Sequence, residues 1–164
     1  MERAVNRAEH DTVAVLFIDL DSFRGINDDF GHLAGDAVLV EAAQLLERCL
    51  RPGDMVARFD GDEFTVLLEV AAPHDAARVA ERIQREFATC SHRAVQASIG
   101  VAVGGRGGDP GSLLRNVDTA LRRAKSRSRG NYAVFDPAMH AHELEQKHLE
   151  QDLRGAQERG ELLV

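Results

Sequence analysis

The sequence predicts an α+β fold, a mostly antiparallel central sheet with helices packed on it. Three observations carry that prediction. Apolar runs of strand length alternate with stretches of helical periodicity. The dipeptide Asp60-Gly61 stands between two apolar segments in the manner of a hairpin turn. A chain of 164 residues with 44% hydrophobic content suffices for one domain with a real core and falls short of two of ordinary size.

Each element follows from local sequence. A helical remnant over residues 2–9 leads into a buried strand over 13–18, an unbroken apolar run. A short helix over 22–30 stops at Gly31. A longer one over 36–50 carries Val38, Leu39, Ala42, Leu45, Leu46 and Cys49 at helical spacing and ends at Pro52-Gly53. Residues 55–57 and 64–68 form the arms of the hairpin, whose type I′ turn at Asp60-Gly61 requires positive φ at both residues. A helix over 75–89, a strand over 95–103, a glycine-rich loop over 104–111, a helix over 112–127 and a strand over 133–135 follow. Asp136-Pro137 then opens a charged helix, with Asp as N-cap and Pro at the first position. The order strand, helices, strand, strand, helix, strand, helix, strand fits a ferredoxin-like or polymerase-palm arrangement.

Composition narrows the function classes. No apolar run approaches the length of a membrane span, and residues 1–7 lead into no apolar signal core, so a soluble, cytoplasmic protein with no direct membrane segment is expected. Cys49 and Cys90 lack CxxC spacing and read as reduced, core-like thiols. His140 and His142, two apart on a helix, diverge rather than chelate, so no zinc site is expected. Residues 1–72 hold six Arg against fifteen Asp or Glu, net −9, whereas residues 112–131 hold six Arg or Lys against Asp118 alone, net +5. An acidic chain with 5% aromatics does not suit a nucleic-acid surface. A local basic helix facing an acidic site suits a small polyphosphate instead, a solvated basic face being the plainer alternative.

The acidic site is itself predicted from spacing. Asp19 ends the first strand, and the hairpin turn presents Asp62 and Glu63 at its edge. Three converging carboxylates repel one another without a cation, and hard oxygen ligands suit magnesium. Solvated turn acids are the ordinary alternative. Asp19-x-Asp21 opens like a calcium loop, but Arg24 stands at the sixth position where Gly is needed and Phe30 at the twelfth where Glu is needed. No GxxxxGK[ST] phosphate loop occurs.

Four segments in order carry a family resemblance: FIDLDSFRGINDDFGHLAGD (residues 17–36), RFDGDEF (58–64), SIGV (98–101) and ALRRAK (120–125). Together they resemble a GGDEF domain, the diguanylate cyclase family, over roughly residues 4–136. The resemblance implies the ferredoxin-like, palm-like fold of that family and an enzyme that joins two GTP into cyclic di-GMP with loss of two pyrophosphates. It further implies a magnesium or manganese cofactor and a homodimer in which each copy holds one GTP. Carried over by position, Asp19 and Asp62 match the metal-binding and catalytic carboxylates with the Leu20 carbonyl assisting, and Glu63 matches the other signature acid, implicated in metal binding and catalysis. Asn27 and Asp36 match guanine readers, and a carboxylate can accept from guanine N1–H and N2, a donor pair that adenine lacks. Leu39 is a core residue that also touches the base. Ser22, Phe23 and Arg24 match the phosphate-holding segment, and Lys125, one of only two lysines, and Arg129 match a remote phosphate clamp. Locally, Asn27 would also serve to turn the chain and Asp36 to cap the next helix. His32 reads as structural.

The segment RPGD (51–54) resembles the family's RxxD inhibitory site for cyclic di-GMP, with Arg51 and Asp54 as its charged ends; Arg78, Arg82 and Arg85 are candidates for a second contact. The signature turn departs from the family at Asp60, where the first glycine is expected, before Gly61. Arg122 stands where an aromatic is common, and Ser128 where a glycine is. The family's opening motif is absent, so residues 1–136 resemble a GGDEF domain with a truncated first helix. Residues 149–164 resemble the connecting helix and first strand of an EAL phosphodiesterase domain, so residues 137–164 are expected to start a truncated EAL domain, and the parent is expected to be a GGDEF–EAL tandem. Two functions follow: a cyclase with product inhibition at the RxxD site, or a degenerate non-catalytic module that binds GTP or cyclic di-GMP and regulates an attached EAL domain.

Overall fold

A computed structural model describes residues 12–70, 72–89, 95–105 and 107–139. The expected helix over residues 2–9, Cys90, His140, His142 and the EAL-like segment lie outside the described residues. The element order is β1 (Thr12–Leu20), α1 (Phe23–Phe30), α2 (His32–Arg48), β2 (Met55–Asp60), β3 (Glu63–Val70), α3 (Pro73–Thr89), β4 (Ala97–Gly105), α4 (Pro110–Arg127) and β5 (Tyr132–Val134). The five strands form one sheet in the order β2-β3-β1-β4-β5. All pairings are antiparallel except β4 with β5, which is parallel. This is the expected α+β architecture.

The faces of β1 explain its place at the centre. Alternate residues Ala14, Leu16, Ile18 and Leu20 are buried on one face, where Leu39, Leu45 and Leu46 of α2 and Ala76, Ala80, Ile83 and Phe87 of α3 complete the main core. Fully burying each large side chain of this set contributes about 1.5–3 kcal/mol. On the other face, Val15 and Phe17 meet Ala102 and α4 residues Leu113 and Val117. Cys49 is buried in the main core, as expected.

Gly100 sets how closely α4 approaches. A Cβ there would lie 2.4 Å from the Leu121 backbone N and the Val117 carbonyl O, so only glycine lets the helix backbone rest on β4. Asp109 caps the helix, its carboxylate accepting from the Gly111 and Ser112 backbone N–H groups, with Pro110 at the first position. The expected loop over 104–111 is accordingly shorter: Gly104 and Gly105 belong to β4, and α4 starts at Pro110 rather than residue 112.

Two further expectations are corrected. The α2 helix starts at His32, not residue 36, so Asp36 lies inside it and is no N-cap. The hairpin turn is Gly61-Asp62 rather than Asp60-Gly61: Asp60 closes β2 opposite Glu63, and of these residues only Gly61 has positive φ, +46°. A register shift between Arg58 and Asp60 moves the turn on by one residue. The turn is braced by the Arg58 guanidinium, which donates to the Gly61 carbonyl at 2.8 Å.

Candidate active site

The site forms where β1 and β3 meet the hairpin turn. Asp19 lies within β1, not beyond its end, and is directly paired with Glu63 on β3 and with Ser98 on β4. Directly opposed residues of antiparallel strands share a face, so the Asp19 and Glu63 carboxylates lie on the face that α4 covers. The turn is stitched to β1 by the Leu20 N–H, which donates to the Asp62 carbonyl at 3.2 Å. Because Gly100 lets α4 settle at Leu121, the residue one turn on, Lys125, reaches the sheet end. Its Nζ stands 2.6 Å from Asp19 Oδ2.

The charges of this corner are coupled. Burial, and after it the Asp19 carboxylate, push Glu63 above the usual carboxylate range, while Lys125 pulls the other way. Asp62 is likewise raised, first by burial and also by Asp19, against the opposing effects of its own backbone N–H and of Lys125. Asp60 adds negative charge to both. Among the described residues no three His, Cys, Asp or Glu side chains are arranged to hold a metal ion by themselves, so the expected convergence of three carboxylates is not a ready-made cage. Asp19 and Glu63 with the Leu20 carbonyl nevertheless fit magnesium, which commonly takes one or two carboxylates and completes its shell with water and substrate phosphate.

Downstream of Asp19, Asp21 and Ser22 form a bend. Ser22 is the only non-glycine among the described residues at positive φ, +62°. Its Oγ accepts from the Arg129 guanidinium at 3.1 Å, which brings two expected phosphate residues together. Phe23 is half-buried against the core. Arg24 is not drawn in: its side chain is 95% exposed and faces Asp28 at 3.9 Å.

The guanine candidates are placed by α1 and α2. Asn27 sits inside α1, where its carbonyl accepts from Gly31 N–H, so it neither caps nor turns the chain with its side chain. A Cβ on Gly35 would stand 2.0 Å from Asn27 Oδ1, so the Asn27 amide lies against Gly35, next in sequence to the exposed Asp36. Leu39 is buried in the core.

The RPGD segment turns back on itself. Arg51 N–H donates to Asp54 Oδ2 at 3.1 Å, Asp54 N–H to the Arg51 carbonyl at 3.0 Å, and Arg51 Nε faces Asp54 Oδ1 at 3.5 Å. The turn therefore uses both charged ends. Arg51 and Asp54 also line a cleft of about 330 Å³ with Arg48, Arg78 and Arg82. Of the three candidates for a second contact, Arg78 and Arg82 border it and Arg85 does not.

Sequence reasoning missed Arg58, Gly100 and Asp109. Asp109-Pro110 carried a readable capping signal; Arg58 acts within its own hairpin, three residues from Gly61, and Gly100 acts through a helix distant in sequence.

Fold and site together define an α+β domain of palm-like type, with paired carboxylates at one end of its central strands and basic side chains from its last helix beside them. The family model described as diguanylate cyclase, GGDEF domain, matches residues 1–131, and the chain belongs to this family. It is 40% identical to the bifunctional diguanylate cyclase/cyclic di-GMP phosphodiesterase MucR of Pseudomonas aeruginosa over all of the chain and 25% of that protein. It is 43% identical to the diguanylate cyclase TpbB of the same species over 80% of the chain and 32% of that protein. The chain thus spans about a quarter to a third of these relatives. The crystal structure of the TpbB GGDEF domain superposes with a TM-score of 0.72 at 38% identity, covering 82% of this chain and 88% of that one. The GGDEF domain of DgcB from Caulobacter crescentus, solved in complex with c-di-GMP, gives 0.66 at 28% identity, covering 80% and 84%. Among the described residues no helix is long and apolar enough to cross a membrane.

Proposed function

We propose that the chain is a diguanylate cyclase domain that condenses two GTP into cyclic di-GMP and pyrophosphate. The observation that carries this reading is the strand register: Asp19 stands opposite Glu63 with Lys125 bonded to Asp19, in a chain of the GGDEF family. Magnesium or manganese, held by Asp19, Glu63 and the Leu20 carbonyl with Asp62 beside them, would supply neutralising charge for a triphosphate. Lys125, Arg129 and the Ser22 segment orient the phosphates, while Asn27 and Asp36 read guanine. In its ionised form, Glu63 is suited to accept the proton of a 3′-hydroxyl. The 3′-oxygen of one GTP then bonds to the α-phosphorus of the other as the bond to pyrophosphate breaks, and the step repeats in the opposite sense. Since each domain holds one GTP, two copies must face each other in a cytoplasmic homodimer. Positioning and electrostatics dominate such chemistry.

Product inhibition belongs to the same reading. The cleft lined by Arg48, Arg51, Arg78 and Arg82 has the charge to hold a cyclic dinucleotide, and arginine can both grip phosphate and stack on guanine. The experiment is incubation with GTP and magnesium, chromatography for cyclic di-GMP and a Glu63→Gln control; product lost in the control supports the cyclase.

A second reading, a non-catalytic module that binds GTP or cyclic di-GMP and controls an EAL domain in the parent protein, is favoured by Asp60 beside Asp62 and Glu63. Relatives named as cyclic di-GMP phosphodiesterases, PdeR of Escherichia coli among them, lend it context. Reverting Asp60 to Gly discriminates: a large gain in turnover marks the natural sequence as a weakened cyclase or sensor. A carboxylate a few ångströms from phosphate costs roughly 1–4 kcal/mol.

A further inference from the structure

Asp21 is a buried carboxylate, 8% exposed, that the chemistry above does not use. Burying a carboxylate is expensive unless its oxygens are satisfied. The Ser98 hydroxyl, from β4, donates to it at 2.9 Å to Oδ2 and 3.0 Å to Oδ1. The Gly130 N–H, from the turn between α4 and β5, donates to Oδ2 at 2.9 Å. The Asp21 backbone N–H is also fixed, donating to the Gln96 carbonyl at 2.8 Å.

The turn that Asp21 grips carries Arg129. Gly130 is held from its other side as well, its carbonyl accepting from the Gln84 amide of α3 at 3.0 Å. It has φ +71°, and a Cβ there would stand 2.9 Å from Gln96 Oε1. The neighbours repeat the contact one residue out, since Arg129 reaches Ser22. Asp21-Ser22 and Arg129-Gly130 are thus joined by two rungs, one buried and one at the surface. Asp21 also lies two residues beyond Asp19, whose register partner on β4 is the same Ser98, and Lys125 of α4 is bonded to Asp19.

We propose that Asp21 is a positioning residue that holds the Arg129–Ser22 phosphate pair in register with the Asp19 and Glu63 carboxylates. This rests on the reading of Ser22 and Arg129 as phosphate-binding residues and does not require turnover. The Asp21→Asn side chain keeps the size but offers one acceptor oxygen and an amide that faces the Ser98 and Gly130 donors. Ser98→Ala is the milder variant, removing one donor and leaving the carboxylate in place.

The test measures binding of GTP and of GMP to the full chain and the variants, with thermal melts alongside. Asp21→Asn should weaken GTP on the order of tenfold, the size of one buried hydrogen-bond defect, and leave GMP within about twofold. Ser98→Ala should shift GTP in the same direction by less. Combined with Arg129→Gln, Asp21→Asn should add little further loss, because both act through one arm. Equal weakening of GTP and GMP, or full additivity with Arg129→Gln, overturns the proposal. If Asp21→Asn does not fold, the same comparison on Ser98→Ala decides: selective loss of GTP supports the role and no selectivity overturns it. A wild-type chain that binds GTP without making product sinks the cyclase reading alone, while product from the wild type with unselective losses sinks this one alone.

Discussion

Lys125 Nζ stands 2.6 Å from the Asp19 carboxylate, joining the last turn of α4 to the central strand of the sheet. The Asp19 side chain is 13% exposed and that of Lys125 39%, so the pair is partly shielded from solvent. In this arrangement the ammonium balances the acid on which a metal would also draw.

Lys125→Ala should therefore act in two opposite ways. Without magnesium it removes the partner of a shielded carboxylate and should lower stability by about 1 kcal/mol, the upper end for exposed pairs. With magnesium the loss should shrink, because the cation takes over the charge of Asp19, while GTP affinity still falls. Melting temperatures with and without magnesium, and GTP titration, check both halves.

The raised carboxyls of Asp62 and Glu63 give a pH signature. A carboxyl held above its unfolded value keeps its proton in the folded chain over a window where the unfolded chain has lost it. Stability therefore falls as pH rises from the ordinary values of 3.8 for Asp62 and 4.5 for Glu63 through the raised folded values. Above that window both ionised groups weigh on the fold. Asp62→Asn and Glu63→Gln should melt higher than wild type at pH 7 in chelator, the difference closing below pH of about 4, and both should lose cyclic di-GMP formation.

Gly100→Ala tests how α4 is seated. Its Cβ would strike the helix backbone at 2.4 Å, with no flexible side chain to yield. The expected cost is about 1–3 kcal/mol from overpacking. Since the helix carries Lys125, GTP affinity should fall as well, which denaturant unfolding and a binding isotherm would show together.

Arg82→Ala and Arg51→Ala should raise the concentration of cyclic di-GMP needed for half-inhibition by tenfold or more, on the order expected for losing a charged phosphate contact. Arg85→Ala should leave it unchanged, since Arg85 does not line the cleft. Initial rates at rising product concentration decide. Arg82 also donates to the Cys49 carbonyl, so its variant should melt slightly lower.

Much of this was legible in the sequence because local pattern and burial agree. The apolar run of β1 and the spacing of Val38, Leu39, Ala42, Leu45 and Leu46 mark elements that the structure contains. Boundaries slipped where side-chain chemistry competes. Asp36 resembles a cap but lies within a helix that begins at His32, beyond a glycine with φ +81°. Asp60-Gly61 has the composition of a tight turn, yet the register shift after Arg58 hands the turn to Gly61-Asp62. The contacts that assemble the site were the least readable. Ser98 with Asp21 spans 77 residues and Gly130 with Asp21 spans 109, and no local pattern encodes either.

The carboxylates Asp19 and Glu63 belong to adjacent interior strands, whereas Asn27, Asp36, Lys125 and Arg129 belong to helices and a turn outside the sheet. Core strands open only at the cost of the whole domain, whereas turns and surface loops open more cheaply. A chain built this way separates what must stay fixed from what can vary: substitutions on the helices and the turn change the side chains around the site while the acid pair stays where the sheet holds it.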